Sequence, residues 1–282
     1  MKFKKLTFAN REGEVLGGRL DLPPVGQPAA YALFAHCFTC TKESKAAAYI
    51  SRALTAENIA VFRFDFTGLG ESTGDFADTT FSSNVEDLVA AAEFLHNEYA
   101  GPQILIGHSL GGAAVLRAAA HISPARAVVT IGAPSDPGHV LRHIKDQQAE
   151  IEARGIAEVN IAGRPFRIKK QFLDDLEQNR MKGAVKGLNR ALLVLHAPLD
   201  GTVGIENAGA IFSEARHPKS FISLDGADHL LSGQEDARYA GSLIAAWARK
   251  YIGHPETEKK DVEVTAKFTL KIAGSVTPLK DT

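Results

Sequence analysis

Apolar side chains along this chain follow two rhythms that take turns, and the turn-taking predicts the architecture. Short runs that are continuously apolar or alternate with period two fall at residues 5–8, 15–22, 31–35, 60–64, 103–106, 127–131, 191–195 and 220–224. Runs of this length, bounded by Gly, Pro, Asn and Asp, predict eight strands. Residues 45–57, 83–99, 110–121, 204–214 and 237–251 instead repeat at helical spacing, the last carrying the single tryptophan, Trp247. Strands alternating with helices predict an α/β fold with a mostly parallel sheet covered on both faces. The first two runs are separated only by Arg11-Glu12-Gly13 and its neighbours, too few residues for a helix, which predicts an antiparallel hairpin at the sheet edge.

From about residue 133 to 189 the rhythm stops and a polar, charge-rich insertion begins after Gly132-Ala133-Pro134. Within it, residues 139–154 and 171–181 read as helices, and 159–168 reads as a small hairpin around Gly163-Arg164-Pro165. Insertions of this length usually serve function, so a cap over the strand C-terminal ends is expected. An oligomer contact or a solvated decoration is the alternative. Residues 254–282 read as a linker followed by a strand that alternates through Val262, Val264, Ala266, Phe268, Leu270 and Ile272. Such a strand needs a partner sheet, so a homodimer through the cap or this strand is one of its outlets.

Bulk composition narrows the partners. The chain has 282 residues, of which 45% are hydrophobic and 23% charged, with a net charge of −1. That supports a large core and supplies no field for nucleic acid or an anionic membrane. No apolar stretch approaches a membrane span, and Met1-Lys2-Phe3-Lys4-Lys5 has no signal-like core. A cytoplasmic protein acting on a small neutral ligand is expected.

The reactive centre is sought in Gly107-His108-Ser109-Leu110-Gly111-Gly112, placed between a strand run and a helix run. In that context G-x-S-x-G is a nucleophile elbow. Glycines two before and two after the serine remove the Cβ atoms that would collide at the sharp turn. The following helix directs its free N–H groups at charge developing beside Ser109. A serine hydroxyl needs a histidine base, and the base needs a carboxylate. His229, after the last strand run, and Asp200, after the one before it, complete the order Ser, Asp, His. Asp225 and Asp228 are rival carboxylates, but closeness in sequence to His229 is a poor route to the required geometry. The oxyanion donors are expected to be the backbone N–H groups of Leu110 and of Phe38, in the loop His36-Cys37-Phe38-Thr39-Cys40. The substrate pocket is assigned to Phe38, His108, Phe166 and Phe172, although His108 projects away from the nucleophile at such an elbow.

Cys37-Phe38-Thr39-Cys40 is also a C-x-x-C, and these are the only two cysteines. Without a second pair it does not make a zinc site, and two buried thiols packing the oxyanion loop are expected. Oxidation would then disturb that loop. No metal or organic cofactor is required by the chemistry.

With these residues placed, the chain resembles the α/β-hydrolase superfamily over about residues 1–253. More narrowly it is similar to the hydrolase part of fusions with osmotically induced protein C (OsmC)-type domains, and to feruloyl and cinnamoyl esterases. The residues carrying this are His36-Cys37-Phe38-Thr39-Cys40, Phe62-Arg63-Phe64-Asp65-Phe66-Thr67-Gly68-Leu69-Gly70-Glu71-Ser72, Gly107-His108-Ser109-Leu110-Gly111-Gly112, Leu199-Asp200-Gly201-Thr202-Val203 and Asp228-His229. The relatives usually have His-Gly where this chain has His36-Cys37. The resemblance implies an eight-stranded hydrolase fold with a cap, and a serine carboxylesterase acting on small to medium acyl or aryl esters. A serine peptidase or amidase for short peptides, and a non-catalytic receptor on the same fold, are the alternatives. OsmC-type peroxidase chemistry is not carried over, because no cysteine follows residue 40.

Overall fold

The computed structural model describes residues 2–252 apart from 162, 179, 180 and 182. The expected terminal strand lies outside the described residues. Eight strands form one sheet: β1 (Lys2–Ala9), β2 (Val15–Leu22), β3 (Ala30–Ala35), β4 (Ile59–Phe64), β5 (Ile104–His108), β6 (Ala127–Ile131), β9 (Ala191–His196) and β10 (Lys219–Ser223). Their order is β1-β2-β4-β3-β5-β6-β9-β10. β2 pairs antiparallel with both β1 and β4, and every other pairing in the sheet is parallel. The expected hairpin therefore opens the fold at one edge, turning through Asn10, whose side-chain oxygen accepts from the Glu12 and Glu14 N–H groups.

The central strands are continuously apolar because both faces are covered. On one face α1 (Lys45–Ala56) packs with α6 (Gln234–Ala248), burying Ile50, Leu54 and Ile244 against Phe34, Val61 and Val129. Each large aliphatic side chain removed from water there contributes roughly 1.5–3 kcal/mol. Gly241 lets the two helices meet, since a Cβ on it would come within 2.7 Å of the Ala53 methyl. The opposite face is covered by α2 (Phe81–Glu98) and α3 (Leu110–Ala118), with Leu88, Leu95 and Val115 packed on Phe62, Leu105 and Val128.

The insertion folds as a cap that differs in part from expectation. Its hairpin is longer than predicted, β7 (Ile156–Ile161) and β8 (Arg164–Lys169), turning at Gly163 with φ +78°. The third segment is helical as α5 (Lys170–Gln178). The single helix expected over 139–154 is instead two pieces, a 3₁₀ helix at Pro137–His143 and α4 (Gln148–Arg154). Asp136 and Pro137 start the first piece as cap and first residue. Val140, Ile144 and Ile151 are buried, while His139 and His143 face a cavity. Between the two pieces the Ile144 N–H bonds the Leu141 carbonyl and the Gln147 N–H bonds the Ile144 carbonyl, so tight three-residue turns replace the α-helical ladder there.

Candidate active site

Five neighbouring parallel strands, β3, β5, β6, β9 and β10, end on the same side of the sheet, and the loops that follow them carry the site. Ser109 follows β5 with φ 54° and ψ −125°, a conformation that a residue with a Cβ occupies only under constraint. Three glycines supply the room. A Cβ on Gly107 would meet the Gly111 carbonyl oxygen at 2.2 Å, one on Gly111 would meet the Ala35 and His36 oxygens at 2.5 Å, and one on Gly112 would meet Ala133 at 2.5 Å. The elbow is thereby wedged against the start of the loop after β3. The Ser109 N–H is anchored to the Ile131 carbonyl of β6 at 2.8 Å.

Ser109 Oγ lies 3.0 Å from His229 Nε2, and His229 Nδ1 lies 2.7 Å from Asp200 Oδ2. With the carboxylate ionised, Nδ1–H donates to Asp200 and Nε2 is left to accept from the serine hydroxyl. Asp200 is fixed by its own turn, its Oδ1 accepting from the Thr202 and Val203 N–H groups at 2.8 and 2.9 Å. Burial alone would raise this carboxyl, but the His229 hydrogen bond and the Val203 and Thr202 N–H groups outweigh it and hold the pKa below the ordinary value. The rival carboxylates are engaged elsewhere. Asp225 accepts from the Ser223 hydroxyl and Asp228 from the Ser232 N–H.

One neighbour of this line was not singled out from sequence. Gly132, after β6, has φ +54°, and a Cβ there would stand 3.3 Å from Asp200 Oδ2 and 3.4 Å from His229 Nδ1. A glycine immediately after a strand in Ile131-Gly132-Ala133-Pro134 was the available signal.

The hydroxyl opens into a cavity of about 320 Å³ lined by Cys37, Phe38, Leu110, Pro134, Val140, Ile161, Leu230 and other residues, with His139 and His143 entering from the cap. Larger or better-enclosed hollows on the α2 side lie away from Ser109, and the chemistry does not reach them. Phe38 and Leu110, the two expected backbone donors, thus border the same space as Ser109.

Three residues expected in the pocket do not line it. His108 is buried behind Ser109, its Nε2–H donating to the His229 carbonyl oxygen at 2.7 Å. Burial, and next the nearby His229, push its pKa down to about 4. Phe172 is buried and stacks on Phe38 at 5.1 Å, and Phe166 packs on Phe76 at 4.9 Å. Phe166 shares a hairpin face with Ile161 but stands further from the turn, paired with Val159, so Ile161 reaches the cavity while Phe166 and Phe172 pack behind its wall.

The loop after β3 also departs from expectation. Cys37 and Cys40 are joined as a disulfide rather than held as thiols, since the turn that bonds Cys40 N–H to the Cys37 carbonyl brings their Cα atoms to 5.2 Å. The same carbonyl accepts from His36 Nδ1–H at 2.7 Å. Beyond it, the buried Lys42 is held by Asp65 through its backbone N–H at 2.7 Å and its ammonium at 2.5 Å. Arg63, paired with buried Asp21 at 2.8 Å, donates to the Lys42 carbonyl.

Residues 32–258 match the model of the alpha/beta hydrolase family, and this stretch is most of the chain. The chain belongs to that family. Among solved hydrolases, it is similar to the esterase domain of a Rhodothermus marinus protein, at 54% identity with a TM-score of 0.74, over 90% of this chain and 100% of that one. Est1E from Butyrivibrio proteoclasticus, solved with ferulic acid bound, shares the hydrolase fold at 18% identity and a TM-score of 0.71, over 88% of this chain and 99% of that one. The mouse mitochondrial palmitoyl-protein thioesterase ABHD10 is 31% identical over 152 residues, 51% of this chain and half the length of that relative. As a member of the alpha/beta hydrolase family, the chain is a hydrolase.

Proposed function

We propose that this hydrolase is a serine carboxylesterase cleaving small to medium acyl or aryl esters through an acyl-enzyme. The observation that carries the reading is the unbroken hydrogen-bonded line from Ser109 through His229 to Asp200, opening on a largely apolar cavity. His229 Nε2 takes the hydroxyl proton as Ser109 Oγ attacks the ester carbonyl. Asp200 keeps the imidazole in the accepting tautomer and stabilises the imidazolium. The Phe38 and Leu110 N–H groups hold the oxyanion, a role in which one donor is typically worth about 100- to 1,000-fold in turnover. His229 then protonates the leaving alcohol, and water repeats the sequence in reverse.

Ester chemistry is favoured over short peptides because no Asp or Glu is among the described residues lining the cavity to take up an α-amino group. At about 320 Å³ the space is at the small end of ligand pockets, so short and medium acyl chains fit within it and a palmitoyl chain would run out over the cap. Thioesters fall under the same attack.

The test is hydrolysis of a p-nitrophenyl ester series, an aryl hydroxycinnamate, an acyl thioester and an aminoacyl nitroanilide by wild type and S109A. Turnover should be greatest with short or medium esters and fall by about 10⁴-fold or more in S109A. Equal, negligible rates in both proteins would overturn the reading in favour of a receptor, and preference for the nitroanilide would favour a peptidase.

A further inference from the structure

Resting on the esterase reading, we propose that Cys37–Cys40 is a redox-active disulfide, reducible by a small dithiol, that sets whether the oxyanion loop is competent. The bridge encloses Phe38 itself, whose N–H is the donor assigned to the oxyanion, so the covalent link and the catalytic atom share one four-residue turn.

The position argues against a simple staple. Disulfide stabilisation in the chain-entropy picture grows with the length of the loop closed, and this one, with a sequence separation of 3, closes almost the shortest loop available. It is also reachable. Cys37 is buried but borders the cavity, and Cys40 is half-buried; bridges open to solvent are the more readily reduced ones.

What the bridge controls follows from the other ties on the loop. Upstream, β3 is fixed in the sheet and His36 is buried. Downstream, Lys42 is clamped by Asp65 and Arg63. Between these anchors the backbone is held by the Cys40-to-Cys37 turn bond, by His36 on the Cys37 carbonyl, and by Arg164 of the cap, which donates to the Thr39 carbonyl. Phe38 adds its ring contacts with Phe76 and Phe172. Opening the disulfide leaves two rotatable side chains and a turn held by single hydrogen bonds, and the Phe38 N–H loses its fixed aim. The oxidised form is therefore the competent one, the reverse of what buried thiols would imply.

The exchange balances with the dithiol as reductant. One thiolate of the dithiol attacks a sulfur of the pair and forms a mixed disulfide, releasing the other cysteine as a thiolate that takes up a proton. The second thiol of the reagent then displaces the remaining cysteine and closes its own ring disulfide. Two electrons and two protons pass to Cys37 and Cys40, and the dithiol is oxidised.

The full chain would be equilibrated in dithiothreitol buffers from fully oxidised to fully reduced, its thiol state read by alkylation and mass, and p-nitrophenyl acetate turnover measured at each poise. Wild type, S109A and C37S/C40S would be run together. The expected result is a kcat that falls about tenfold or more on reduction with KM little changed, returns on reoxidation, and is low and poise-independent in C37S/C40S. A reduced wild type that keeps the oxidised kcat, a double variant with the oxidised rate, or a pair alkylated without any reductant would each overturn the inference. If S109A abolishes turnover while poise has no effect, the esterase reading stands and only this inference fails; if S109A equals wild type, both fail.

Discussion

Asp200 is the partner of His229 because of where its two oxygens point. Oδ1 is consumed by backbone N–H groups of its own turn, which leaves Oδ2 aimed across at the imidazole. Replacing it with Asn in D200N should reverse the tautomer at His229 and lower kcat by about 10⁴-fold, whereas D228N should leave turnover near wild type; steady-state kinetics on one ester decide between them. Comparable losses in both would move the carboxylate role away from Asp200. This much was legible in sequence, since order along the chain and position after a strand locate Ser109, Asp200 and His229. Gly132 was not, because its part depends on how near β6 brings it to two residues contributed by other strands.

The helices and strands of the sheet were readable from local rhythm, and their ends were fixed by capping that also lies in the sequence. α2 begins at Thr80, whose hydroxyl accepts from the Ser83 N–H at 3.0 Å while Ser83 Oγ accepts from the Thr80 N–H at 2.8 Å, a reciprocal capping box. T80A should cost about 1 kcal/mol and lower Tm by about 2–4 °C, with kcat unaffected, as thermal unfolding and ester assays would register; an unchanged Tm would deny the cap its role. The cap was less legible. Periodicity located its hairpin and α5, but which stretch of each reaches the cavity is decided by how the insertion folds back, so Phe166 and Phe172 were assigned to the pocket and stand behind it. Likewise a C-x-x-C spacing does not say whether its turn closes tightly enough to bridge.

Burial of neutral histidines makes the fold sensitive to acid. His36 and His108 are both buried, which pushes each to about 4, against about 6.5 in an unfolded chain. At pH well above about 6.5 neither state binds the proton, and at about pH 7 the pair still has little effect. As pH falls from about 6.5 towards 4 the unfolded chain takes up protons that the folded one refuses, so stability drops, by up to about 3 kcal/mol for each histidine. H108Q, which keeps a donor for the His229 carbonyl, should remove one share; urea unfolding at about pH 7 and about pH 4.5 would show it, and an undiminished acid loss in H108Q would count against this origin. A different consequence follows from the strand order. Phe38, Ser109, Gly132, Asp200 and His229 follow five strands adjacent in space but contributed by segments scattered over most of the described chain. Pairings of such long sequence separation form late, so a collapsed or half-assembled molecule has helices and an elbow but nothing to hydrolyse with. Turnover during refolding would therefore time the arrival of the last strand rather than the first compaction, making this enzyme a clock for its own completion.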